Sequence, residues 1–234
     1  MTDDPINDKV TVSSSETGVA SVKQTAKYED LTSAGRVLAK RLENYSGTST
    51  VVLAIARGGV PVALEVARHL AAPLDIILIR RLLANGPGSQ ICAVNVGGNL
   101  IIDQGLALPS DSPKMPLEYF LIDALAGLAQ RERSCRGSRP ALEVKGKNVL
   151  VIDNGIHTGS TVLAAIRALR KMNPSSLIVG VPVAAISTRK IVESAADELV
   201  CLKWPEPFGH VGLWYTKFNV PNEEQIREVL DRVS

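Results

Sequence analysis

Residues 149–161 read Val-Leu-Val-Ile-Asp-Asn-Gly-Ile-His-Thr-Gly-Ser-Thr. The four leading apolar residues predict a strand buried on both faces, which is typical of a parallel sheet. A polar turn follows, and the apolar spacing over 159–171 predicts a helix. A strand that passes through a short turn into a helix indicates an α/β unit, and such sheets bind ligands at the carboxyl ends of their strands.

The turn in this stretch has the composition of an anion site. The first backbone N–H groups of a helix are free, and the helix dipole favours negative charge there. Thr158, Ser160 and Thr161 add hydroxyl donors, and Gly159 lets the backbone approach a phosphate closely. Asp153 is placed to accept hydrogen bonds from sugar hydroxyls or to hold a hydrated cation. A lone Asp before a helix would more simply cap a turn, but the whole string favours a ligand site.

A second strand and loop repeat this arrangement. Thr50–Ile55 is a continuous apolar run, and Arg57-Gly58-Gly59 follows it closely. Two glycines permit a backbone that turns N–H groups toward an anion, and an Arg binds phosphate oxygens as a fork. A Gly pair alone usually marks a turn. Because both loops follow apolar strands, we expect them to lie at one edge of one sheet.

The remaining pattern predicts one three-layer α/β domain over 27–234 with a mainly parallel central sheet. Residues 1–26 are polar and aperiodic, which predicts a disordered tail. A helix over 60–70 and a strand over 74–79 complete a parallel crossover with the first strand. The other predicted elements are helices over 31–45, 117–133, 188–195 and 223–233 and strands over 148–152, 177–183 and 198–202.

Residues 82–116 interrupt this series. Ile91–Val96 and Asn99–Ile102 flank Gly97-Gly98, which predicts a hairpin, and several Gly and Pro residues mark loops around it. We interpret 82–116 as a small hood, an insertion that lies on the sheet rather than within it.

Composition excludes several classes of protein. The chain has 234 residues, 45% hydrophobic and 21% charged, which suits a globular domain with a sizeable core. Its apolar runs are too short for a membrane span, and its three scattered cysteines fit neither a zinc pattern nor a disulfide framework. The net charge of +2 gives no reason to expect a nucleic-acid or membrane partner. We expect a cytoplasmic protein.

The two loops resemble those of the type I phosphoribosyltransferase family. Asp153–Thr161 is similar to the family's phosphoribosyl diphosphate (PRPP) motif, and Arg57-Gly58-Gly59 is similar to its pyrophosphate loop. From Leu31 to about Arg232 the chain resembles stand-alone bacterial phosphoribosyltransferases of unassigned substrate. The segments that carry this likeness are Arg57–Ala63, Ala72–Asp75, Asp153–Thr161, Pro205–Phe208 and Trp214-Tyr215.

The resemblance implies a reaction and a division of roles. PRPP with bound Mg²⁺ would transfer its phosphoribosyl group to a nitrogen nucleophile, expected to be a nucleobase, and pyrophosphate would leave. Residues 157–161 would hold the 5′-phosphate, and Asp153 and Asn154 would hold the ribose hydroxyls. Arg57–Gly59 and Arg81 would hold the pyrophosphate, although Arg81 could equally be a solvated strand end. Asp153 would contact the Mg²⁺ through a water, and a homodimer is the family's habit.

Asn154 departs from the family's pattern. The family carries a second acidic residue at this position, whereas Asn accepts a hydrogen bond but brings no charge. A binding module that senses PRPP or a nucleotide is therefore an alternative to an active transferase, and a hydrolase acting on a phosphoribosyl ester is compatible with the same pocket.

The roles of His157 and of the aromatic residues are open at this stage. Purine-specific members of the family carry at the position of His157 an Asp proposed as the general base, and an imidazole suits proton exchange near neutral pH. A loop histidine without a role is the alternative. Five of the nine aromatic residues lie between Trp204 and Phe218. Trp204 or Phe208 would stack on a base, or the group would pack the C-terminal segment onto the sheet.

Overall fold

The computed structural model describes residues 26–84, 90–104 and 117–233. Its strands are β1 Thr50–Ile55, β2 Leu74–Ala84, β3 Gln90–Val96, β4 Asn99–Gln104, β5 Asn148–Ile152, β6 Ser176–Val183 and β7 Glu198–Lys203. Its α-helices are α1 Leu31–Arg41, α2 Gly59–Leu70, α3 Leu117–Arg136, α4 Ser160–Arg170, α5 Arg189–Glu193 and α6 Glu223–Arg232. Short 3₁₀ turns cover Glu43–Tyr45, Ile186–Thr188 and Val211–Trp214. The strands form one sheet in the order β4-β3-β2-β1-β5-β6-β7.

The centre of the sheet is parallel, as the continuous apolar runs predict. All six residues of β1 are buried, and β1 pairs in parallel with β2 on one side and β5 on the other. Strands β6 and β7 extend the parallel order. Because α2 and α4 connect neighbouring parallel strands, the loops that enter these two helices lie at the same edge of the sheet.

Helices cover both faces of the sheet and complete three layers. Val52 and Ala54 of β1 pack in a cluster that includes residues of α1, α2, α3 and α6. Val51 and Leu53, which alternate with them, pack on the opposite face in a cluster that includes residues of α4 and α5. Alternation along a strand sends neighbouring side chains to opposite faces, so each strand contributes to both cores. The predicted three-layer α/β fold is confirmed.

The hairpin is part of the sheet, so the expectation that it lies on the sheet is wrong. Strand β2 continues past residue 79 and pairs antiparallel with β3, which pairs antiparallel with β4. An unpaired edge of β2 would leave main-chain donors and acceptors without partners, and the hairpin supplies them. Arg167 of α4 fixes the outer strand by donating to both carboxylate oxygens of Asp103, at 2.7 and 2.6 Å.

Most other predicted boundaries agree with the structure within a few residues. The helix expected over 188–195 corresponds to the shorter α5, and the largest difference is at β2, which continues to Ala84 where the prediction ended at residue 79. The predicted tail before residue 26 and the rest of the predicted hood, 85–89 and 105–116, lie outside the described residues. Among the described helices, none has the length and apolar character that crossing a membrane requires.

Candidate functional site

The two loops singled out by the sequence lie side by side. Strands β1 and β5 are neighbours, with Ala54 opposite Ile152, so the chain leaves both strands at the same edge. The peptide bond between Ala56 and Arg57 is cis. The next two residues pack directly on the second loop. The contact is so close that the first loop has no room for side chains at these two positions.

Glycine is required where the loops meet. A Cβ at Gly58 would lie 2.1 Å from the side-chain nitrogen of Asn154. A Cβ at Gly59 would lie 2.6 Å from the carbonyl oxygen of Ile152 and 3.1 Å from the Cα of Asp153. At Gly59 the clash is with backbone atoms, so only glycine fits there, whereas a side chain at Gly58 would have to displace the amide of Asn154. The pair therefore serves a close approach of two loops as well as a turn.

A cavity of about 280 Å³ opens at this edge. It is lined by Arg81, Asp153, Asn154, Gly155, Ile156, His157, Thr158, Gly159, Thr161, Val162 and Val211. A larger cavity of about 500 Å³ lies between the end of α1 and the start of β7, at Lys40, Arg41 and Glu198 among others. We place the site in the smaller cavity, because it joins the carboxyl ends of the parallel strands to a helix N-terminus.

The N-terminus of α4 faces this cavity without a capping side chain. Gly159, its N-cap residue, has φ +79°, a conformation that favours glycine, and no side chain of the described residues caps the helix. The hydroxyl oxygens of Thr158 and Ser160 lie 3.1 Å apart. Helices α1 and α6, at other places in the fold, are capped by Asp30 and Asn222. An uncapped N-terminus with adjacent hydroxyls leaves donors for an anion.

Helix α2 is also uncapped, at the neighbouring loop. Its N-cap residue is Gly58, which has no side chain to bond the first-turn N–H groups. The starts of α2 and α4 thus lie at one edge of the sheet. In the first turn of α2 the Val60 N–H donates to the carbonyl of Arg57 at 3.2 Å, and Pro61 has no N–H, so α2 leaves fewer donors for an anion than α4.

Asp153 is the acidic group of the site. Its carboxylate accepts a hydrogen bond of 2.7 Å from the Asn154 N–H, and among the described residues it has no cationic partner. Burial raises the pKa of Asp153 to about 7. A carboxylate in this state is ready to accept hydrogen bonds from a ligand or to balance a cation.

The two adjacent arginines of β2 face different surroundings. Arg80 donates to the carboxylate of Asp123 on α3 at 2.8 Å, whereas Arg81 lines the cavity. Alternation along the strand explains the difference, because successive side chains point to opposite faces. Arg81 places a positive charge in the same cavity as the start of α4.

Comparison with known proteins identifies the family of the chain. Residues 24–215 match the model of the phosphoribosyl transferase domain. The chain belongs to the phosphoribosyl transferase family. The resemblance inferred from the two loops is thereby confirmed at the level of the family.

Individual relatives support the same assignment. Two curated proteins named "Putative phosphoribosyl transferase", from two strains of Mycobacterium tuberculosis, are 32% identical over 206 residues, which is 88% of this chain and 46% of theirs. The chain thus spans about half the length of these curated relatives. The crystal structure of TT1426 from Thermus thermophilus is 30% identical, with a TM-score of 0.73 over 89% of this chain and 99% of that one.

His157 lines the cavity and contacts an aromatic residue. His157 is exposed and lies between the cavity and Phe208, whose ring it stacks on with centroids 5.6 Å apart. Phe208 is itself buried and accepts a hydrogen bond on its carbonyl from the Trp214 indole. The stack fixes the imidazole at the rim of the cavity.

The aromatic residues considered for base contact mostly have structural neighbours. Phe208 belongs to a core cluster and does not line the cavity. Trp204 is half-buried beneath the guanidinium of Arg189, which lies 5.5 Å from its ring centroid, and it too is absent from the lining. The packing alternative describes their positions in this structure, and their role toward a base stays a prediction.

Some residues of the cavity were not singled out in the sequence. Val211 enters from the 3₁₀ turn after β7, fifty residues after the end of the motif. Gly155 packs between Val211 and Val183, where a Cβ would lie 2.9 Å from a methyl group of each. No local pattern marks Val211, because its place depends on how the C-terminal segment crosses the sheet edge.

Proposed function

We propose that this protein is a phosphoribosyltransferase that takes PRPP with bound Mg²⁺ and transfers the phosphoribosyl group to a nitrogen nucleophile, a nucleobase being the expected acceptor. The observation that carries the proposal is the shared cavity. One space of about 280 Å³ joins the uncapped start of α4, the carboxylate of Asp153 and the guanidinium of Arg81. These are binding groups for a phosphate, for sugar hydroxyls and for a second anion.

The roles follow from the positions of these groups. The 5′-phosphate would bind the N–H groups at the start of α4 and the hydroxyls of Thr158, Ser160 and Thr161. The ribose hydroxyls would donate to the Asp153 carboxylate and to the amide oxygen of Asn154. The pyrophosphate would bind Arg81 and the backbone of the loop Arg57–Gly59. PRPP has a phosphate at one end of its ribose and a pyrophosphate at the other, which matches the order of these binding groups.

A magnesium ion fits the site only as part of the substrate. Among the described residues no group of three or more His, Cys, Asp or Glu side chains could hold a metal ion. Mg²⁺ keeps several waters and binds through one or two carboxylates together with substrate phosphates. Asp153 would contact such an ion through a water. The bound ion would supply charge neutralisation on the departing pyrophosphate.

The proposed reaction asks the chain mainly to position and to stabilise charge. The lone pair of the acceptor nitrogen forms a bond to the anomeric carbon as the bond from that carbon to the pyrophosphate oxygen breaks. Both electrons of the broken bond leave with pyrophosphate, which Arg81 and the loop Arg57–Gly59 would bind more tightly as its charge grows. The acceptor nitrogen then loses a proton, to solvent or to the imidazole of His157 at the rim.

A PRPP- or nucleotide-binding sensor is the second candidate function. The observation that favours it is the setting of Asn154, whose neutral side chain packs on Gly58 where the family has a carboxylate. Without that second charge the site would bind its ligand and turn it over slowly. The variant Asn154→Asp restores the charge and separates the two functions.

The test is release of pyrophosphate from PRPP in the presence of Mg²⁺ and single nucleobases. The enzyme proposal expects base-dependent release, together with the matching nucleotide as product. Release in Asn154→Asp but barely in the wild type would favour the sensor. If neither chain releases pyrophosphate with any base while both bind PRPP, transferase activity is refuted. Thr48→Ala, at an exposed position beside the opposite end of β1, is the control.

A further inference from the structure

The loop after β5 is held from two sides. On one side its backbone bonds to the end of β6: the Ile156 N–H donates to the carbonyl of Val183 at 3.0 Å, and the Ala185 N–H donates to the carbonyl of Ile156 at 2.8 Å. On the other side the hydroxyl of Tyr215 donates to the carbonyl oxygen of Asn154 over 2.5 Å. Among the described residues no other group donates to that carbonyl.

Asn154 is the point where the parts of the site meet. Its N–H donates to the Asp153 carboxylate, at 2.7 Å. Its side chain packs against Gly58 of the first loop. A shift of the Asn154 backbone would therefore move the carboxylate relative to both helix starts. Among the described residues, the phenol of Tyr215 is the side chain that bonds to the Asn154 carbonyl, and the Asp153 carboxylate is the one that bonds to its N–H.

Tyr215 is in turn fixed by the N-terminal segment. Its side chain is buried, and its ring centroid lies 5.8 Å from that of Tyr28. The Tyr28 N–H donates to the carbonyl of Trp214 at 2.9 Å, and the Thr216 N–H donates to the carbonyl of Tyr28 at 2.8 Å. The Lys203 ammonium lies over the Tyr28 ring, 4.1 Å from its centroid. The phenol of Tyr215 thus has little freedom to leave the Asn154 carbonyl.

We propose that Tyr215 is a positioning residue of the site, and that residues 26–30 support it. It does not line the cavity; it acts through the backbone of Asn154 and so sets where Asp153 meets the ligand. This inference rests on the proposed function, because it concerns how the site binds PRPP. When the loop is already ordered, ligand binding does not have to offset the free energy of ordering it.

A matched pair of variants tests this role. Tyr215→Phe removes the hydroxyl bound to Asn154, whereas Tyr28→Phe removes a hydroxyl bound to the carbonyl of Pro182 at 3.2 Å. Both rings are buried, so both variants lose one phenol–carbonyl hydrogen bond and a similar amount of stability. The readouts are amide hydrogen exchange over 154–156 in the ligand-free protein and the Kd for PRPP with Mg²⁺.

We expect Tyr215→Phe to speed exchange over 154–156 and to raise the Kd, each by about three- to tenfold, the range that one hydrogen bond spans. Tyr28→Phe keeps the ring contact and the backbone hydrogen bonds by which Tyr28 supports Tyr215, so it should leave both within about twofold of the wild type. Equal exchange in the two variants, or an unchanged Kd in Tyr215→Phe, would overturn the inference. If the wild type does not bind PRPP, the proposed function fails, and the exchange data still decide whether Tyr215 holds the loop.

Discussion

Two aspartates of the sheet, Asp75 and Asp153, differ in their hydrogen-bond partners. Asp75, at the start of β2, is buried and accepts hydrogen bonds from Arg136 at 2.6 Å, the Ile76 N–H at 2.7 Å and the Leu142 N–H at 3.1 Å. Asp153, at the end of β5, accepts one from the part of the chain that the structure describes, from the Asn154 N–H. The fold satisfies the Asp75 carboxylate more fully than the Asp153 carboxylate.

The difference separates a structural acid from a ligand-binding one. The Arg136–Asp75 pair is nearly inaccessible to solvent, and Glu132 binds the same guanidinium at 2.7 Å. Such a cluster fixes α3 against β2. Among the described residues Asp153 has no cationic partner, and burial raises its pKa to about 7. Burial of an acid is therefore informative only together with its partners.

The largest expected effect comes from removing the cationic partner of Asp75. Arg136→Met removes the partner and leaves a buried, uncompensated carboxylate, which should lower the free energy of unfolding by about 3–5 kcal/mol. Urea denaturation at pH 7 measures this loss. The Kd for PRPP, measured on the folded fraction, should stay within about twofold. A loss below about 1 kcal/mol would mean that the pair is not the structural anchor described here.

The converse change, Asp153→Asn, should stabilise the ligand-free protein. Because the folded-state pKa of about 7 lies above the unfolded value, the stability contributed by Asp153 is full below about pH 4 and is lost as the pH rises to 7. The variant removes this loss and should gain about 1–3 kcal/mol at pH 8, discounted for partial exposure, and almost nothing at pH 4. PRPP binding should fall. Equal stability of variant and wild type at pH 8 would contradict the raised pKa.

A smaller effect should distinguish the two arginines of β2. Arg81→Gln removes a charge from the cavity and should raise the Kd for PRPP by about tenfold or more, the range expected for a hydrogen bond to a charged group. Arg80→Gln breaks an exposed ion pair with Asp123 and should leave the Kd within about twofold. The same titration serves both variants. Equal effects would place the pyrophosphate elsewhere.

The parts predicted well from the sequence depend on local patterns. Apolar runs identify β1 and β5, and the strand, turn and helix around Asp153–Thr161 place a site at their carboxyl edge. The structure brings most residues of this stretch into the lining of one cavity, whereas Ser160 and the loop Arg57–Gly59 do not line it. Local patterns suffice there because a strand that leads through a short turn into a helix determines where the loop lies.

The parts predicted poorly depend on contacts between residues that are far apart in the sequence. The hairpin was recognised, but its pairing with β2 was not, because a two-residue turn says nothing about the next strand in the sheet. The hydrogen bond from Tyr215 to Asn154 joins residues 61 positions apart, and no periodicity in the sequence predicts it. Aromatic composition near the C-terminus suggested either packing or stacking, and only three-dimensional placement shows Phe208 in a core cluster.

The most direct test of the central claim is a calorimetric titration of the full chain with PRPP, with and without Mg²⁺. The proposed site predicts binding that strengthens by at least about tenfold with Mg²⁺, that is lost in Asp153→Ala and Thr158→Ala, and that is unchanged in Thr48→Ala. Undiminished binding in Asp153→Ala, or no binding by the wild type, would contradict the assignment of PRPP to this cavity.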